Sequence, residues 1–466
     1  MSNERLSAQD ASFLYVESPV AHMHVGSLAI FDNFELSEQE INRHIESRLK
    51  YVPRFRKKLR WVPFGLDWPV WVDDPHFDVR FHIRHTGLPK PGGERDALRL
   101  MGRIMSTPLD RQRPLWEMWV FDLPDGKKGL IQKTHHCLID GVSGVDLGTV
   151  LLDLSPDVPK ASDVERWTPE PLPSKGELLA QSLRERFTRP AGVVRTLKEA
   201  VGRPRELAAR ASDVAKGVVA FGKSSFEWAP KTSLSAPIGA HRRFEIVRTD
   251  LAAVKAVKNH YGCTVNDVVL AMVAGGVGKL LSARGDDIDG LVLKAMVPVS
   301  VRDPSRRMTY GNMVSMMTAE LPVGEQNPRK RLDLVRQSMA GLKDSKQAVG
   351  ADFWVKLSEY ALPTVLSLAG RAAALQRMVN LVVTNIPGPQ FPLYLCGGRL
   401  LEAFPCVPIL GTASIGVAVL SYCGMLNFGL TGDWDVVPDL KILAEGIEES
   451  LSDLSSELKP ERHASV

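Results

Sequence analysis

The chain has few cysteines. There are five in 466 residues, an odd number without a Cys-x-x-Cys pair. A disulfide framework usually has an even number of cysteines and a zinc site usually a closely spaced pair, so the sequence argues against both and favours a reducing compartment. The segment Met1–Arg5 lacks the apolar core of a signal peptide, which predicts a cytoplasmic protein.

An excess of charge of one sign is also missing. The net charge is +4, which is small for this length and does not indicate a protein that binds nucleic acid. The absence of a Gly-x-Ser-x-Gly motif argues against a serine hydrolase. Hydrophobic residues make up 44% and charged residues 24%, the balance of a soluble globular protein, and the length predicts two domains.

Residues 403–432 lack any charged side chain and are numerous enough to span a bilayer. The stretch contains seven glycines and prolines, and Cys423-Gly424 divides it into two runs with β-branched residues. Such composition favours strands over a helix. The sequence therefore predicts a hairpin of two buried strands, residues 413–422 and 425–431, rather than a transmembrane helix.

Strand-like and helix-like patterns occur in both halves of the chain and predict an α/β fold. Ser37 with Glu40, and Thr264 further on, have the positions of residues that cap a helix. The predicted strands are Val25–Phe31, Trp116–Leu123, Leu130–His135, Phe244–Arg248 and Leu291–Val299. The predicted helices are Ser37–Lys50, Ser143–Leu154, Ala252–Tyr261 and Asn266–Ser282.

A linker separates the two halves. Residues 155–174 are rich in Pro, Ser and Asp, and residues 178–226 have helical periodicity. Between Lys175 and Lys231 there are 12 Lys and Arg against 6 Asp and Glu, a net charge of +6. This basic connector is either a solvated helical crossover or an amphipathic surface that contacts anionic lipid.

The most informative motif is His135-His136-Cys137-Leu138-Ile139-Asp140-Gly141, at the end of the predicted strand Leu130–His135. Imidazole can take and return a proton near neutrality because its ordinary pKa is about 6.5. A carboxylate nearby can orient such a ring, directly or through the loop that carries it. Loops that follow strands often present reactive side chains to a cleft.

This motif and others resemble those of the bacterial wax ester synthase/acyl-CoA:diacylglycerol acyltransferases, which belong to the CoA-dependent acyltransferase superfamily. The resemblance runs nearly from end to end. Besides HHxxxDG, the matching segments are Leu6–Phe13, Met23–Gly26, Pro114–Glu117, Asn266–Val269, Pro298–Arg302, Gly311–Asn312 and Thr384–Pro389.

The resemblance implies two chloramphenicol-acetyltransferase-like, mixed-sheet halves with a tunnel at their interface. The first, residues 1–158, would carry HHxxxDG; residues 159–240 would be the Pro-rich, then basic helical linker; the second half would be residues 241–466. The resemblance also implies that His136 is the catalytic base. Such a residue would remove the hydroxyl proton as an alcohol attacks a thioester and would return it to the departing thiolate.

Other residues receive roles from this interpretation. His135 is expected to pack and hydrogen-bond rather than react. A buried Asp140 needs a partner, with Arg56 and Arg302 the candidates, and a structural salt bridge is favoured over direct contact with His136. Asn266, at the start of its helix, is the candidate donor to the oxyanion, although Asn266 and Asp267 could instead cap that helix.

The acyl-CoA contacts are expected from glycine and polar positions in two segments. Gly141 either leaves room for acyl-CoA or is an ordinary turn glycine. Thr384, Asn385 and Gly388 belong either to the acyl-CoA channel or to a plain loop. No resident cofactor and no metal is expected.

Two further clusters suggest alternatives that we do not favour. Cys137 is expected to face away from His136, since neighbours on an extended segment point to opposite sides. The pairs His22/His24 and His82/His85 have metal-compatible spacing but lack further ligands close in the sequence, so surface or core histidines are expected.

The predicted activity is acyl-CoA-dependent O-acyl transfer, giving triacylglycerol from diacylglycerol or wax ester from a long-chain alcohol. The protein would be a monomer or homodimer in the cytoplasm, peripheral to the inner membrane or to lipid droplets. The alternatives are a condensation-type acyltransferase that uses carrier-protein thioesters and a lipid-droplet protein without catalytic activity.

Overall fold

The computed structural model describes residues 4–32, 37–138, 151–157, 167–185, 228–300, 314–344, 377–456 and 458. Asp140, Gly141 and Arg302 lie outside the described residues, as does most of the basic connector. The helix predicted over Ser143–Leu154 also lies outside them, except for its last four residues.

Two six-stranded sheets and a small three-stranded sheet form the frame of the molecule. The strands are β1 (Glu4–Arg5), β2 (His24–Phe31), β3 (Lys57–Arg60), β4 (Val70–Asp73), β5 (Ile83–His85), β6 (Trp116–Asp122), β7 (Lys128–His135), β8 (Arg242–Asp250), β9 (Leu293–Ser300), β10 (Val314–Leu321), β11 (Leu381–Pro387), β12 (Tyr394–Leu395), β13 (Gly398–Cys406), β14 (Ile415–Tyr422) and β15 (Met425–Asp433). The first large sheet has the order β12-β13-β2-β7-β6-β5, the second β10-β9-β11-β14-β15-β8, and the small one β1-β4-β3.

Helices pack against these sheets. They are α1 (Ala8–Val16), α2 (Glu38–Arg48), α3 (Val79–His82), α4 (Glu94–Met105), α5 (Leu251–Tyr261), α6 (Val265–Ala283), α7 (Pro328–Asp344) and α8 (Leu440–Ser456). Residues 175–185 form a further helical segment. The predicted mixed α/β fold is therefore confirmed, whereas the domain boundaries and the tunnel stay predictions.

The strands and the helix starts follow the local sequence closely. Each of the five predicted strands is present within two residues of its predicted ends. Ser37 and Glu40 form a reciprocal capping box at the start of α2. The turn between β6 and β7 places Asp125 at φ 61° and Gly126 at φ 72°, in the left-handed region that Asp-Gly tolerates. These predictions are confirmed because they depend on turn and cap chemistry between near neighbours.

Most of the charge-free stretch 403–432 lies in strands, and the predicted hairpin within it is confirmed. β14 and β15 form an antiparallel hairpin that turns at Cys423-Gly424, where both residues have positive φ. Of the described helices, α6 alone is long and apolar enough to cross a membrane, with a mean hydropathy of 1.4. However, 72% of that window is buried within the protein, as expected of a core helix.

The two large sheets are joined by a strand that leaves the second half of the chain. β13 pairs antiparallel with β2, and β12 continues the same edge. β13 also passes β15 so closely that a Cβ at Gly429 would lie 1.8 Å from the carbonyl oxygen of Pro405. Strands contributed by residues 394–406 therefore complete the sheet that carries the double histidine.

Candidate active site

The double histidine lies where β7 leaves the first sheet. His135 is the last residue of β7 and faces His24 of β2 in the antiparallel register. His136 begins a 3₁₀ turn, His136–Leu138, and its backbone N–H donates to the carbonyl of Met23 at 2.8 Å. The turn is therefore tied to the start of β2, which holds both imidazoles at the end of the central strand β7.

The ring of His136 is partly exposed and lies on an aromatic surface. It stacks on Phe13 of α1 with the ring centroids 3.9 Å apart and the planes inclined by 19°. Burial lowers the pKa of His136 to about 4, the nearby His135 lowers it further, and the contact with its own backbone carbonyl opposes the shift. The ring is therefore neutral at pH 7. Its Nδ1 is buried, which leaves Nε2 as the nitrogen that can meet a substrate.

His135 is buried and supports the turn instead of facing solvent. Its Nδ1 accepts a hydrogen bond from the backbone N–H of Cys137 at 3.1 Å. A ring nitrogen that accepts a hydrogen bond carries no proton, so the ring proton lies on Nε2. That atom is 3.4 Å from Oε2 of Glu17.

Glu17 is the site residue that the sequence analysis missed. It follows α1 directly, and its Oε1 lies 3.4 Å from Nε2 of His24 while Arg111 pairs with its Oε2. Burial alone would raise its pKa, but the contact with His135, the hydrogen bond from Arg111 and the proximity of His24 lower the pKa to about 2. Glu17 is thus an ionised carboxylate beneath the double histidine.

No motif in the sequence pointed to Glu17. It lies 118 positions before His135, and nothing in its neighbourhood resembles a catalytic motif. The register of β2 with β7, which sets His24 opposite His135, is what brings the three residues together.

Cys137 has no access to the site. Its side chain is completely buried in the core of the first half. Burial raises its pKa well above the ordinary value, and the negative charges of Asp10 and Glu17 add to that shift. A thiol held protonated in this way is not a nucleophile.

Three histidines of the two metal-compatible pairs, His22, His24 and His82, are buried, whereas His85 is partly buried. His22 and His24 stack with ring centroids 5.4 Å apart, and burial lowers the pKa of both. His82 Nδ1 lies 2.8 Å from the carbonyl oxygen of Trp116, and the two rings stack. Within the described residues, no group of three His, Cys, Asp or Glu side chains is arranged to hold a metal ion.

Asn266 lies in the first turn of α6, in the second half of the molecule. The cap of this helix is made by Thr264 and Asp267, whose side chains and backbone N–H groups bond reciprocally at 2.8 and 3.2 Å. Asp267 therefore caps the helix, as one alternative proposed, while Asn266 is partly buried one position away.

The predicted acyl-CoA residues of the second half lie on and after β11. Thr384 and Asn385 face Ala418 and Val419 of the parallel β14. The hydroxyl of Thr384 is buried and has no hydrogen-bond partner among the described residues. A buried hydroxyl without a partner can still donate and accept a hydrogen bond, so it is suited to contact a polar ligand atom.

Gly388 is needed for close packing. A Cβ at this position would lie 2.2 Å from the carbonyl oxygen of Ser421, while its N–H donates to the Ser421 hydroxyl at 3.1 Å. Close packing against Ser421 therefore explains why position 388 is a glycine.

Arg56, a candidate partner of Asp140, is buried between two other groups. Its Nη2 donates to the carbonyl of Glu46 at 3.2 Å, and its guanidinium lies 5.4 Å from the centroid of the Trp167 ring. Because Asp140 and Arg302 are outside the described residues, the pairing of Asp140 stays a prediction.

A groove of about 920 Å³ lies beside the residues that contact Glu17 and α1. Arg111, the partner of Glu17, is one of its lining residues, and so is Trp61. Tyr15 of α1 packs its ring edge against Trp61 with the centroids 5.7 Å apart, and Phe13 of the same helix lies under His136. α1 thus contacts the histidine turn through Phe13 and the groove residue Trp61 through Tyr15.

Comparison with known proteins identifies similar sequences and folds along the whole chain. The catalytic-domain model of wax ester synthase/diacylglycerol acyltransferase matches residues 6–269, and the WS/DGAT C-terminal domain matches residues 310–455. The Mycobacterium tuberculosis (strain ATCC 25618 / H37Rv) protein named "Probable diacylglycerol O-acyltransferase tgs1" is 34% identical over 459 residues, which cover 96% of this chain and 95% of the relative. The protein named tgs2 in the same strain is 32% identical over 456 residues, covering 96% and 97%.

Solved structures agree with this result. The wax ester synthase/diacylglycerol acyltransferase from Marinobacter aquaeolei VT8 is 25% identical, covers 97% of this chain and 99% of its own, and superimposes with a TM-score of 0.67. The first condensation domain of the calcium-dependent antibiotic synthetase is 18% identical, with 98% and 97% covered and a TM-score of 0.59. The second likeness concerns the fold alone.

Proposed function

This chain belongs to the wax ester synthase/diacylglycerol acyltransferase family, and on that premise we propose that it transfers an acyl group from acyl-CoA to a hydroxyl acceptor. The family resemblance predicted from the motifs is thereby confirmed. The observation that supports the proposal is a neutral, partly exposed imidazole at His136, which is held by backbone and stacking contacts directly after β7.

His136 would act as the general base. Its Nε2 accepts the proton of the acceptor hydroxyl while that oxygen attacks the thioester carbonyl, and a tetrahedral oxyanion forms. When the intermediate collapses, the C–S bond breaks and the CoA thiolate takes the proton from His136. One imidazole thus serves both steps, and the chemistry requires no acyl-enzyme.

Glu17 and His135 would position this base. The Glu17 carboxylate favours the His135 tautomer with its proton on Nε2, which leaves Nδ1 free to accept from the N–H of Cys137. That hydrogen bond spans the turn that carries His136. The pair therefore acts on the reaction through the geometry of the turn, as a supporting carboxylate does in other histidine sites.

The remaining roles are proposals for binding. Asn266 is the candidate donor to the oxyanion, since its amide N–H₂ lies in the first turn of a helix. Thr384, Asn385, Gly388 and Gly141 are the candidate contacts of acyl-CoA, and the buried, unpartnered Thr384 hydroxyl supports this assignment for β11. Acyl-CoA is a co-substrate in this scheme, with no resident cofactor.

Diacylglycerol is the acceptor that the named relatives favour, with triacylglycerol as product. The solved relative carries both activities in its name, so a long-chain alcohol and wax ester remain within the proposal. The location would be cytoplasmic and peripheral, at the inner membrane or lipid droplets, where these apolar acceptors reside.

The decisive experiment measures CoA thiol release from purified acyl-CoA with diacylglycerol or a long-chain alcohol as the only acceptor. We expect His136→Ala to lower kcat by about 10²- to 10⁴-fold, the range for loss of general base catalysis. Cys137→Ala is the matched control and should retain activity, because that thiol is buried and protonated. Ester formation by His136→Ala at the wild-type rate would contradict the proposal.

The same assay separates the two rivals. A condensation-type enzyme would require an acyl carrier protein and would release no thiol from free acyl-CoA. A droplet protein without catalytic activity would give no turnover with any acyl donor or acceptor.

A further inference from the structure

Two aromatic side chains project from the turn that follows β3. Phe64 is 87% exposed and Trp61 is 41% exposed, the first being the most exposed of the large hydrophobic residues that the structure describes. Removal of such side chains from water is favourable, so two exposed aromatic rings on one turn form a candidate surface for binding an apolar partner.

The turn holds Phe64 outward in a strained conformation. The backbone of Phe64 has φ 59° and ψ 10°, a left-handed conformation that a bulky residue rarely adopts. The turn closes with the N–H of Gly65 donating to the carbonyl of Val62, and Trp61 is braced by Tyr15. Strain of this kind persists only where the surrounding structure imposes it, and it often marks a functional position.

The groove beside this turn is basic. Lys58, Arg60, Arg111 and Lys175 line it, and no Asp or Glu is found among the described residues of its lining. Lys58 pairs with Asp74 and Arg111 with Glu17. Among the described residues Arg60 and Lys175 have no acidic partner, so the rim carries uncompensated positive charge beside exposed aromatic rings.

The helical segment 175–185 adds apolar surface to the same rim. Leu178 and Ser182 face inward, where Leu178 packs on Val70 and Val72 of β4. Leu179, which lines the groove, and Leu183, which is 44% exposed, lie four residues apart and therefore on one face of the segment.

From this arrangement we infer that the rim formed by Trp61, Phe64, Arg60, Lys175 and Leu183 docks onto an anionic lipid surface. Exposed aromatic and leucine side chains would enter the region between headgroups and acyl chains, while the two unpaired cations would meet lipid phosphates. The charge complementarity favours a membrane over an apolar protein partner. The inference rests on the peripheral location proposed above and names the surface that would produce it.

The experiment is flotation of the purified full chain with vesicles of phosphatidylcholine, alone or with about 30% phosphatidylglycerol. Phe64→Asn removes the exposed ring and, because Asn tolerates the left-handed conformation, should fold with a Tm equal to or above that of the wild type. We expect its partition onto the mixed vesicles to weaken by about tenfold or more. The matched control is Phe391→Asn, which removes a half-exposed phenylalanine that does not line the groove and should bind normally.

The charges are tested separately. Arg60→Ser with Lys175→Ser should weaken binding to the mixed vesicles by about tenfold or more and abolish the preference over pure phosphatidylcholine. The control removes two exposed lysines of the second half, Lys255→Ser with Lys441→Ser, and should leave that preference intact.

Three results would overturn the inference. They are wild-type flotation of Phe64→Asn, equal loss in the two control variants, and failure of the wild type to bind either vesicle. His136→Ala provides the link to the proposed function: it should bind vesicles like the wild type, so loss of catalysis and loss of docking are scored independently.

Discussion

At His136 the surroundings set the protonation state more than the residue type does. Two adjacent imidazoles occupy different environments: His135 is buried against Glu17, whereas His136 is stacked on Phe13 and partly exposed. Desolvation disfavours the charged form of a ring, and for His136 it lowers the pKa to about 4. A base in this state is ready to accept a proton at any pH well above that value.

The pH dependence of the reaction follows from this shift. Because His136 must be neutral to act, kcat/KM should fall only as the pH drops through about 4, well below the range of an ordinary histidine. The measurement is the acid limb of the pH profile with a soluble alcohol acceptor, with circular dichroism at each pH to confirm folding. An acid limb near pH 6.5 would show that His136 is not desolvated as the structure indicates.

Glu17 can be tested as a positioning residue through the conservative variant. Glu17→Gln keeps the shape but removes the charge that His135 and Arg111 share, so kcat should fall by about ten- to a hundred-fold with little change in KM. Glu17→Asp keeps the charge and should recover part of that loss. Equal activity of Glu17→Gln and the wild type would remove Glu17 from the site.

The same variant has a defined effect on stability. Glu17 has a folded-state pKa of about 2, below its ordinary value of 4.5, so it stabilises the native state above the unfolded pKa and loses that contribution as the pH falls towards 2. Glu17→Gln should therefore reduce the free energy of unfolding at pH 7 by about 1–3 kcal/mol and flatten its dependence on acid pH. Urea denaturation at pH 7 and at pH 3 measures both effects.

At the scale of elements, the start of α6 combines a structural and a proposed chemical role in adjacent residues. Thr264 and Asp267 satisfy the free N–H groups of the helix, and Asn266 lies between them. A sequence pattern cannot separate these roles because polar residues are enriched both in caps and in sites. The contacts separate them by showing which side chains the cap already uses.

Matched substitutions in this turn test the division. Thr264→Ala should lower the free energy of unfolding by about 1 kcal/mol with little effect on kcat, as expected for loss of a cap. Asn266→Ala should lower kcat by about 10²-fold, the effect of losing one oxyanion donor, and leave stability nearly unchanged. The reverse pattern in steady-state kinetics and thermal melts would assign Asn266 to the helix instead of the reaction.

At the scale of the whole molecule, the two halves depend on each other. β13, from the second half of the chain, covers the edge of β2, and β2 in turn carries His24 and binds the histidine turn through Met23. An uncovered edge strand exposes a row of backbone donors and acceptors and invites aggregation. The sheet that carries the double histidine is therefore incomplete without residues 394–406.

Expression of the halves as separate fragments tests this dependence. Residues 1–240 alone should be insoluble or unfolded, whereas coexpression with residues 241–466 should restore a soluble complex with acyl-transfer activity. The measurement is solubility and size-exclusion chromatography of each fragment alone and together. A folded, monomeric 1–240 fragment would show that β13 is dispensable for the first sheet.

Local chemistry explains which features could be predicted. The capping boxes at Ser37 and Thr264, the Asp-Gly turn before β7 and the Cys423-Gly424 hairpin depend on residues a few positions apart, so the sequence alone determined them. HHxxxDG and its companion segments identified the family for the same reason: each is a short motif with fixed spacing.

Only the tertiary structure decided the features that join distant parts of the chain. Glu17 meets His135 across 118 positions, β13 joins a sheet whose first strand begins 374 positions earlier, and Lys175 and Arg60 line one groove. These contacts depend on strand register and on the packing of whole elements. Neither the hydrophobic periodicity of a segment nor a short motif carries information about these contacts, because burial and pairing partners are set by the folded chain as a whole.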